Sequence, residues 1–188
     1  DFGRGWTLEG LTLEMRSPRY FPLFGYPEAW TPSTDGIVEG PPVYIGDWTT
    51  DDLRTRGSEL RGKAVLIAQP QEGFIEEDRL QPADYEEQVR IGAPRFLPTQ
   101  TPADRGTLAQ LLHDIGVGAV LRPNQGQHGT IFVLGRDNPD TASPTVILAS
   151  EHYNMIVRMI EAGEPVTLRI AIEGQFHEDD TRGYNVLA

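Results

Sequence analysis

Thr101-Pro102-Ala103-Asp104 opens, and Gly116-Val117-Gly118-Ala119-Val120-Leu121 closes, the stretch that decides how this chain folds. A hydroxyl residue, then proline, then an acid is a helix start: the hydroxyl accepts from exposed amides, and proline brings no amide of its own. Leu108, Leu111, Leu112 and Ile115 recur at i, i+3, i+4 and i+7, so the spacing predicts a helix over 103–115 with one apolar stripe. Gly116 ends it, since glycine accepts the left-handed backbone of a helix terminus. Ala119-Val120-Leu121 follows as a short apolar strand.

Working outward, Ala64-Val65-Leu66-Ile67-Ala68, entered through Gly62-Lys63, reads as a second buried strand, and Val43-Tyr44-Ile45, Ile131-Phe132-Val133-Leu134 and Thr145-Val146-Ile147-Leu148 as others. Ser150 is positioned to cap a second helix over 151–162, with Tyr153, Ile156, Val157 and Ile160 on one face and Gly163 closing it. Val166, Leu168, Ile170 and Ile172 alternate as a half-buried final strand. Near the start, Trp6, Leu8, Leu11, Leu13 and Met15 alternate around Gly10, as two short strands or one bent strand. Residues 17–36 are dense in proline, glycine and aromatics, the composition of an ordered loop at a core edge or interface. Residues 70–100 are polar and interrupted by proline, predicting a long excursion with a helical turn near 84–90. His177-Glu178-Asp179-Asp180 reads as a polar loop at a domain boundary. Two amphipathic helices on a mainly β body give an α+β or open-barrel architecture.

With 188 residues the chain suits one domain able to bury a core without crosslinks. Its 20 glycines and 15 prolines fit a loop-rich protein. A formal net charge of −12 repels phosphate backbones and argues against nucleic-acid binding. The absence of cysteine excludes disulfides, thiol chemistry and Cys-zinc sites. No apolar run approaches the ~18 residues of a membrane span. The ends, Asp1-Phe2-Gly3 and Tyr184-Asn185-Val186-Leu187-Ala188, lead us to expect a piece of a longer polypeptide, the latter opening a buried strand.

Catalytic constellations are sparse. His113, His128, His152 and His177 never take the spacing that puts two imidazoles and a glutamate on one helix face. His113 and His152 read as exposed or capping residues. His177 and Asp179 could share a metal, but no third ligand is near in sequence; a solvated linker is the plainer reading and a surface calcium contact the other. Gly-x-Ser-x-Gly is missing, and Ser58 sits in an ordinary turn. Glu76-Glu77 and Glu86-Glu87 read as solvated charge. Asn124-Gln125-Gly126-Gln127-His128-Gly129 lacks the following Gly-Lys-Ser/Thr of a phosphate cradle and reads as an exposed loop suited to ligand contact. No catalytic residue and no metal ligand is therefore assigned.

Three segments carry a resemblance. Leu60-Arg61-Gly62-Lys63-Ala64-Val65-Leu66-Ile67, Asp114 to Leu121, and Pro144-Thr145-Val146-Ile147-Leu148 resemble, in order, the glycine-lysine strand, the helix-to-strand step and the later strand of protease-associated domains. Phe2-Gly3-Arg4-Gly5-Trp6, Ala29-Trp30-Thr31-Pro32-Ser33-Thr34-Asp35-Gly36 and Gly183 to Ala188 are similar to the flanks of that domain in bacterial two-zinc exopeptidases, relatives of glutamate carboxypeptidase and the transferrin receptor. The resemblance implies an α+β domain, an open β-barrel or sandwich flanked by two short helices. It places a peptidase-domain stub at 1–5, the protease-associated domain at 6–175, and a linker with the first peptidase strand at 176–188.

The implied role is non-catalytic: substrate recognition, active-site covering or protein interaction within a secreted or periplasmic zinc exopeptidase. No cofactor is expected in this part, and zinc belongs to the peptidase domain, after a later His-x-Asp strand. Implied partners are that domain and a peptide or protein substrate, with homodimerisation a further option. Arg122 and Arg136 are candidate contacts for a substrate carboxylate, because guanidinium offers bidentate geometry; His128, in the polar loop, is the third candidate. Competing readings are a free-standing hydrolase with an unrecognised site and a structural or carbohydrate-binding module.

Overall fold

The computed structural model describes residues 3–71, 102–124, 131–135 and 141–179. Two sheets organise them. The first is antiparallel. Strand β1 (Gly5–Ser17) pairs along its length with β9 (Thr167–His177), from Gly5 opposite His177 to Ser17 opposite Thr167. The register slips between Leu8 and Gly10 and again between Met15 and Ser17, so the alternating N-terminal segment is one bent strand. Short strands β2 (Phe21–Pro22) and β4 (Val38–Gly40) flank the pair, in the order β2-β1-β9-β4.

The second sheet has the order β3-β8-β7-β6-β5. Its members are β3 (Gly25–Pro27), β5 (Val43–Tyr44), β6 (Ala64–Leu66), β7 (Ala119–Pro123) and β8 (Thr145–Leu148). Strands β5 to β8 run parallel, and β3 closes one edge antiparallel to β8. Every residue of β6 and of β8 is buried, the signature of parallel strands covered on both faces. On one face Leu66, Leu121, Val146 and Leu148 meet Leu13, Met15, Leu168 and Ile170 of the first sheet. Val65, Ile67 and Val120 point the other way, into a second core.

The helices serve these two cores. Helix α2 (Pro102–Ile115) joins β6 to β7 and buries Leu108 and Leu112 in the second core. It ends as the glycine required: Gly116 has φ of +75°, and its amide and that of Val117 reach back to Leu112 O at 3.2 and 3.3 Å. Helix α3 (Ser150–Glu161) buries Tyr153, Ile156 and Val157 in the first core.

Several expectations change. The structure has three α-helices among the described residues, not two, because α1 (Thr50–Arg56) precedes a 3-10 turn at Gly57–Leu60. Its seven residues are too short for a periodic stripe; its signal is the capping box, with Thr49 N–H donating to Asp52 Oδ2 at 2.8 Å and Asp52 N–H to Thr49 Oγ1 at 3.2 Å. The Thr49 hydroxyl, which donates to Asp52 Oδ2 at 2.6 Å, and after it the Thr49 amide hold the Asp52 carboxyl below its ordinary range. Ser58 lies in the 3-10 turn. Among the described residues the strands form two sheets, and no barrel is shown. Residues 131–134 join no ladder; the Phe132 amide donates instead to Asn124 Oδ1 at 2.9 Å. Ser150 does not cap α3. Ala149 holds that position, and the Ser150 hydroxyl lies 2.6 Å from Gln71 Oε1 and 3.2 Å from Asn124 O. The excursion expected over 70–100 falls, beyond Gln71, outside the described residues, as does the start signal at Thr101.

Two contacts tie α3 down. The fully buried Tyr153 hydroxyl donates to Ala68 O at 2.6 Å and accepts from Ala68 N–H at 2.8 Å. Tyr153→Phe strands both backbone groups, so urea unfolding should show a loss of about 2–4 kcal/mol. His152 Nδ1 accepts the Phe24 amide at 2.8 Å, with its ring edge-on to Phe21 at 5.0 Å. Only a neutral imidazole can accept there. Burial lowers the His152 pKa, against a smaller opposing pull from Glu151. Between that lowered value and the ordinary ~6.5 the unfolded chain binds more protons, so this contribution to stability is complete above neutrality and declines as pH falls through ~6.5. Melting temperatures of wild type and His152→Gln should converge on acidification; parallel profiles would contradict this.

Candidate functional site

Strand β7 alternates, so Val120 and Arg122 share the sheet face that looks toward α2. Glu28 stands one residue past β3, where its amide donates to Thr145 O at 2.9 Å. Period-2 pairing puts Gly25 and Pro27 against the first core and leaves Glu28 on the α2 side. Its carboxylate there meets Arg122 Nη1 in an ion pair. Both side chains are mostly covered, at 30% exposure for Arg122 and 22% for Glu28. Burial pushes the Glu28 carboxyl up, while the charge and hydrogen bond of Arg122 pull it back.

The pair lies in a cleft of about 440 Å³. Ile67, Val120 and Thr145 form its floor, and Leu108 and Leu112 of α2 form one apolar wall. The opposite wall is residues 28–31. Here Trp30 takes φ of +58°, a left-handed conformation that costs a bulky residue about 1–2 kcal/mol. Neighbouring bonds hold it: the Trp30 indole donates to Arg4 O at 2.6 Å, Thr31 N–H to Glu28 O at 3.2 Å, and the Thr145 amide to Thr31 Oγ1 at 2.8 Å. Leu134, 63% exposed, stands at the mouth. Next to it Gly135 bridges to Ala29 so closely that a Cβ would lie 1.9 Å from Ala29 O. On the far side His113 Nδ1 lies 3.0 Å from Ala142 O, an acceptor, so this nitrogen carries the proton and ties α2 to residues 141–143.

Of the sequence candidates, Arg122 is in this cleft; Arg136 and His128 lie outside the described residues. Glu28 and Trp30 were not singled out as site residues. Glu28 had a faint signal, as one of two acids, with Asp35, within the proline-rich and aromatic run 17–36. His177 ends β9 opposite Gly5, with Nε2 2.9 Å from Thr7 Oγ1. Among the described residues no three His, Asp or Glu side chains gather closely enough to hold a metal ion, so they do not fit a zinc site. No described helix is long and apolar enough to cross a membrane.

Comparison of the whole chain with solved structures gives the architecture its context. The fold matches about a third of each of three peptidase chains. The likeness is to the M28 peptidase precursor from Shewanella amazonensis SB2B (14% identity, TM-score 0.63), covering 93% of this chain and 36% of that one. The aminopeptidase from Aneurinibacillus sp. strain AM-1 gives 18% identity and a TM-score of 0.55, covering 93% and 34%. The zinc aminopeptidase of Bacillus subtilis gives 13% and 0.50, again covering 93% and 34%. At these identities the likeness concerns the fold. No family model and no curated protein matches the sequence. The chain thus spans little more than a third of the aminopeptidase-like structures it resembles.

Gly135→Ala tests how tightly the cleft wall is held. The added methyl must push residues 134–135 off Ala29, so amide resonances of Ala29, Trp30 and Arg122 should move, with a stability loss of about 1–2 kcal/mol.

Proposed function

We propose that this chain is a non-catalytic, protease-associated-type domain of an exported zinc exopeptidase, acting in substrate recognition and packing against that enzyme's peptidase domain. The observation that carries the reading is the superposition of 93% of the chain on about a third of each of these peptidase chains. A domain that occupies a third of such a chain leaves the remainder for the metal-holding part. The order of the three resembling segments supports it too: they fall on β6, the α2–β7 step and β8, consecutive parallel neighbours in one sheet.

Under this reading residues 6–175 are the domain, 1–5 and 176–188 its junctions with the peptidase part, and export follows from the parent enzyme. Arg122 contacts a substrate carboxylate, with Arg136 and His128 as further contacts. The two-zinc centre of the parent would polarise a peptide carbonyl and activate a water.

The 188-residue chain, assayed with zinc against aminoacyl anilides and short peptides, should show no turnover above background. Hydrolysis that a chelator abolishes would establish the chain as an enzyme in its own right and remove the reading.

A further inference from the structure

Glu28 Oε1 receives the Arg122 guanidinium, but Glu28 Oε2 accepts no hydrogen bond among the described residues. An ionised carboxylate has about four lone-pair sites, so this one is far from saturated. Glu28 lines a cleft whose floor and one wall are largely aliphatic. Burial raises its carboxyl more than the charge and hydrogen bond of Arg122 lower it. With Arg122 in place the carboxylate is therefore still under-compensated, and what it lacks is a second donor carrying positive charge.

We propose that this cleft binds a small primary amine bearing an apolar chain, its ammonium on Glu28 Oε2 and its chain against Leu108, Leu112, Ile67 and Val120. Nothing has to be displaced: Arg122 keeps Oε1 and every other contact it makes. An ammonium on Oε2 stands nearer the carboxylate than the guanidinium on Oε1, so attraction outweighs repulsion. A ligand carboxylate meets the same open oxygen and is repelled. A neutral ligand gains the apolar contacts but leaves the carboxylate as it was. The formal net charge of −12 favours a cation at longer range as well. The four aliphatic residues, each at most 6% exposed, give the chain an apolar bed. The volume of about 440 Å³ lies at the small-ligand end of binding sites, which span roughly 300–1,000 Å³. The wall that carries Glu28 is set in advance by the left-handed Trp30 and its hydrogen bonds, so little ordering is left to the binding step. Two sources carry this chemistry: a free alkylamine, and the amino terminus of a peptide that begins with an apolar residue.

The inference goes beyond the recognition role above and is read on this chain alone. Its failure leaves the domain reading standing, and zinc-dependent turnover by the chain would leave amine binding standing. The test is an NMR titration of the 188-residue chain with n-pentylamine, 1-pentanol, pentanoate, the peptide Leu-Gly-Gly and its N-acetyl form. Pentylamine should shift Leu108, Leu112 and Val120 saturably. It should bind at least about tenfold more tightly than pentanol or pentanoate, which lack the charged donor. From propylamine to pentylamine, affinity should rise about two- to fourfold per methylene. In Glu28→Gln the preference for pentylamine over pentanol should vanish; the wild-type comparison decides the matter even where that variant does not fold. Leu-Gly-Gly binding alongside pentylamine, with the acetylated peptide silent, assigns the site to peptide amino termini, and pentylamine alone assigns it to free amines. No saturable shift with pentylamine, equal binding of pentylamine and pentanol by the wild-type chain, or a folded Glu28→Gln that retains the full preference overturns the proposal.

Discussion

Val65 and Leu66 of β6 are fully buried, and their parallel neighbours in β7 and β8 are nearly so; everything else in the structure answers the need to keep water off both faces of that sheet. A parallel pair cannot be joined by a tight turn, so the chain between β6 and β7 must cross over, and it does so as α2. That crossover covers one face with Leu108 and Leu112. The opposite face needs a different cover, and the long β1–β9 ribbon provides it, with α3 filling the space beside it. The result is a layered domain in which the sheet of β5 to β8 is the middle layer.

The cleft is a consequence of that layering. Helix α2 covers the second sheet across Val65, Ile67 and Val120, but toward β8 and the β3 edge its place is taken by loop segments. There the sheet face carries Arg122 where an aliphatic residue would otherwise continue the core. A charge in that position requires a partner, and Glu28 supplies one from the end of β3. The antiparallel edge strand thus closes the sheet and also delivers the counter-charge. The strained Trp30 follows directly after it, so the same short segment carries edge pairing, ion pair and backbone strain. Concentrating these features in residues 25–31 is what makes the cleft a better candidate site than the exposed polar loops.

At the C-terminal ends of the parallel strands lies a polar cluster of a different character. Gln71, Asn124, Ser150 and Asn154 bond to one another and to the backbone where β6, β7 and β8 end. Asn124 is fully buried, and its main chain extends the ladder to Leu148 O. This cluster satisfies backbone groups that the departing strands leave behind, which is a structural duty. It also explains why Ser150 is not a cap: a hydroxyl at a helix start can cap it, but here the strand ends offer nearer partners.

The sequence by itself determined the elements whose patterns are local. The stripe and stop of α2, the continuous apolar runs of β6 and β8, the face of α3 and the alternation in β1 and β9 follow from 3.6- and 2-residue periods that any burial partner would exploit. It also placed β6, the α2–β7 step and β8 in order, and those prove to be adjacent parallel strands. Helix α1 was readable only through its cap, because two turns are too short to show a period, and the apolar run at 131–134 promised a strand that joins no ladder among the described residues. The ion pair was beyond the sequence altogether. Glu28 and Arg122 are separated by 94 positions, and neither carries a local signal of the other. Only the tertiary structure, by laying β3 against β8 and β8 against β7, brought the acid and the base to one covered point.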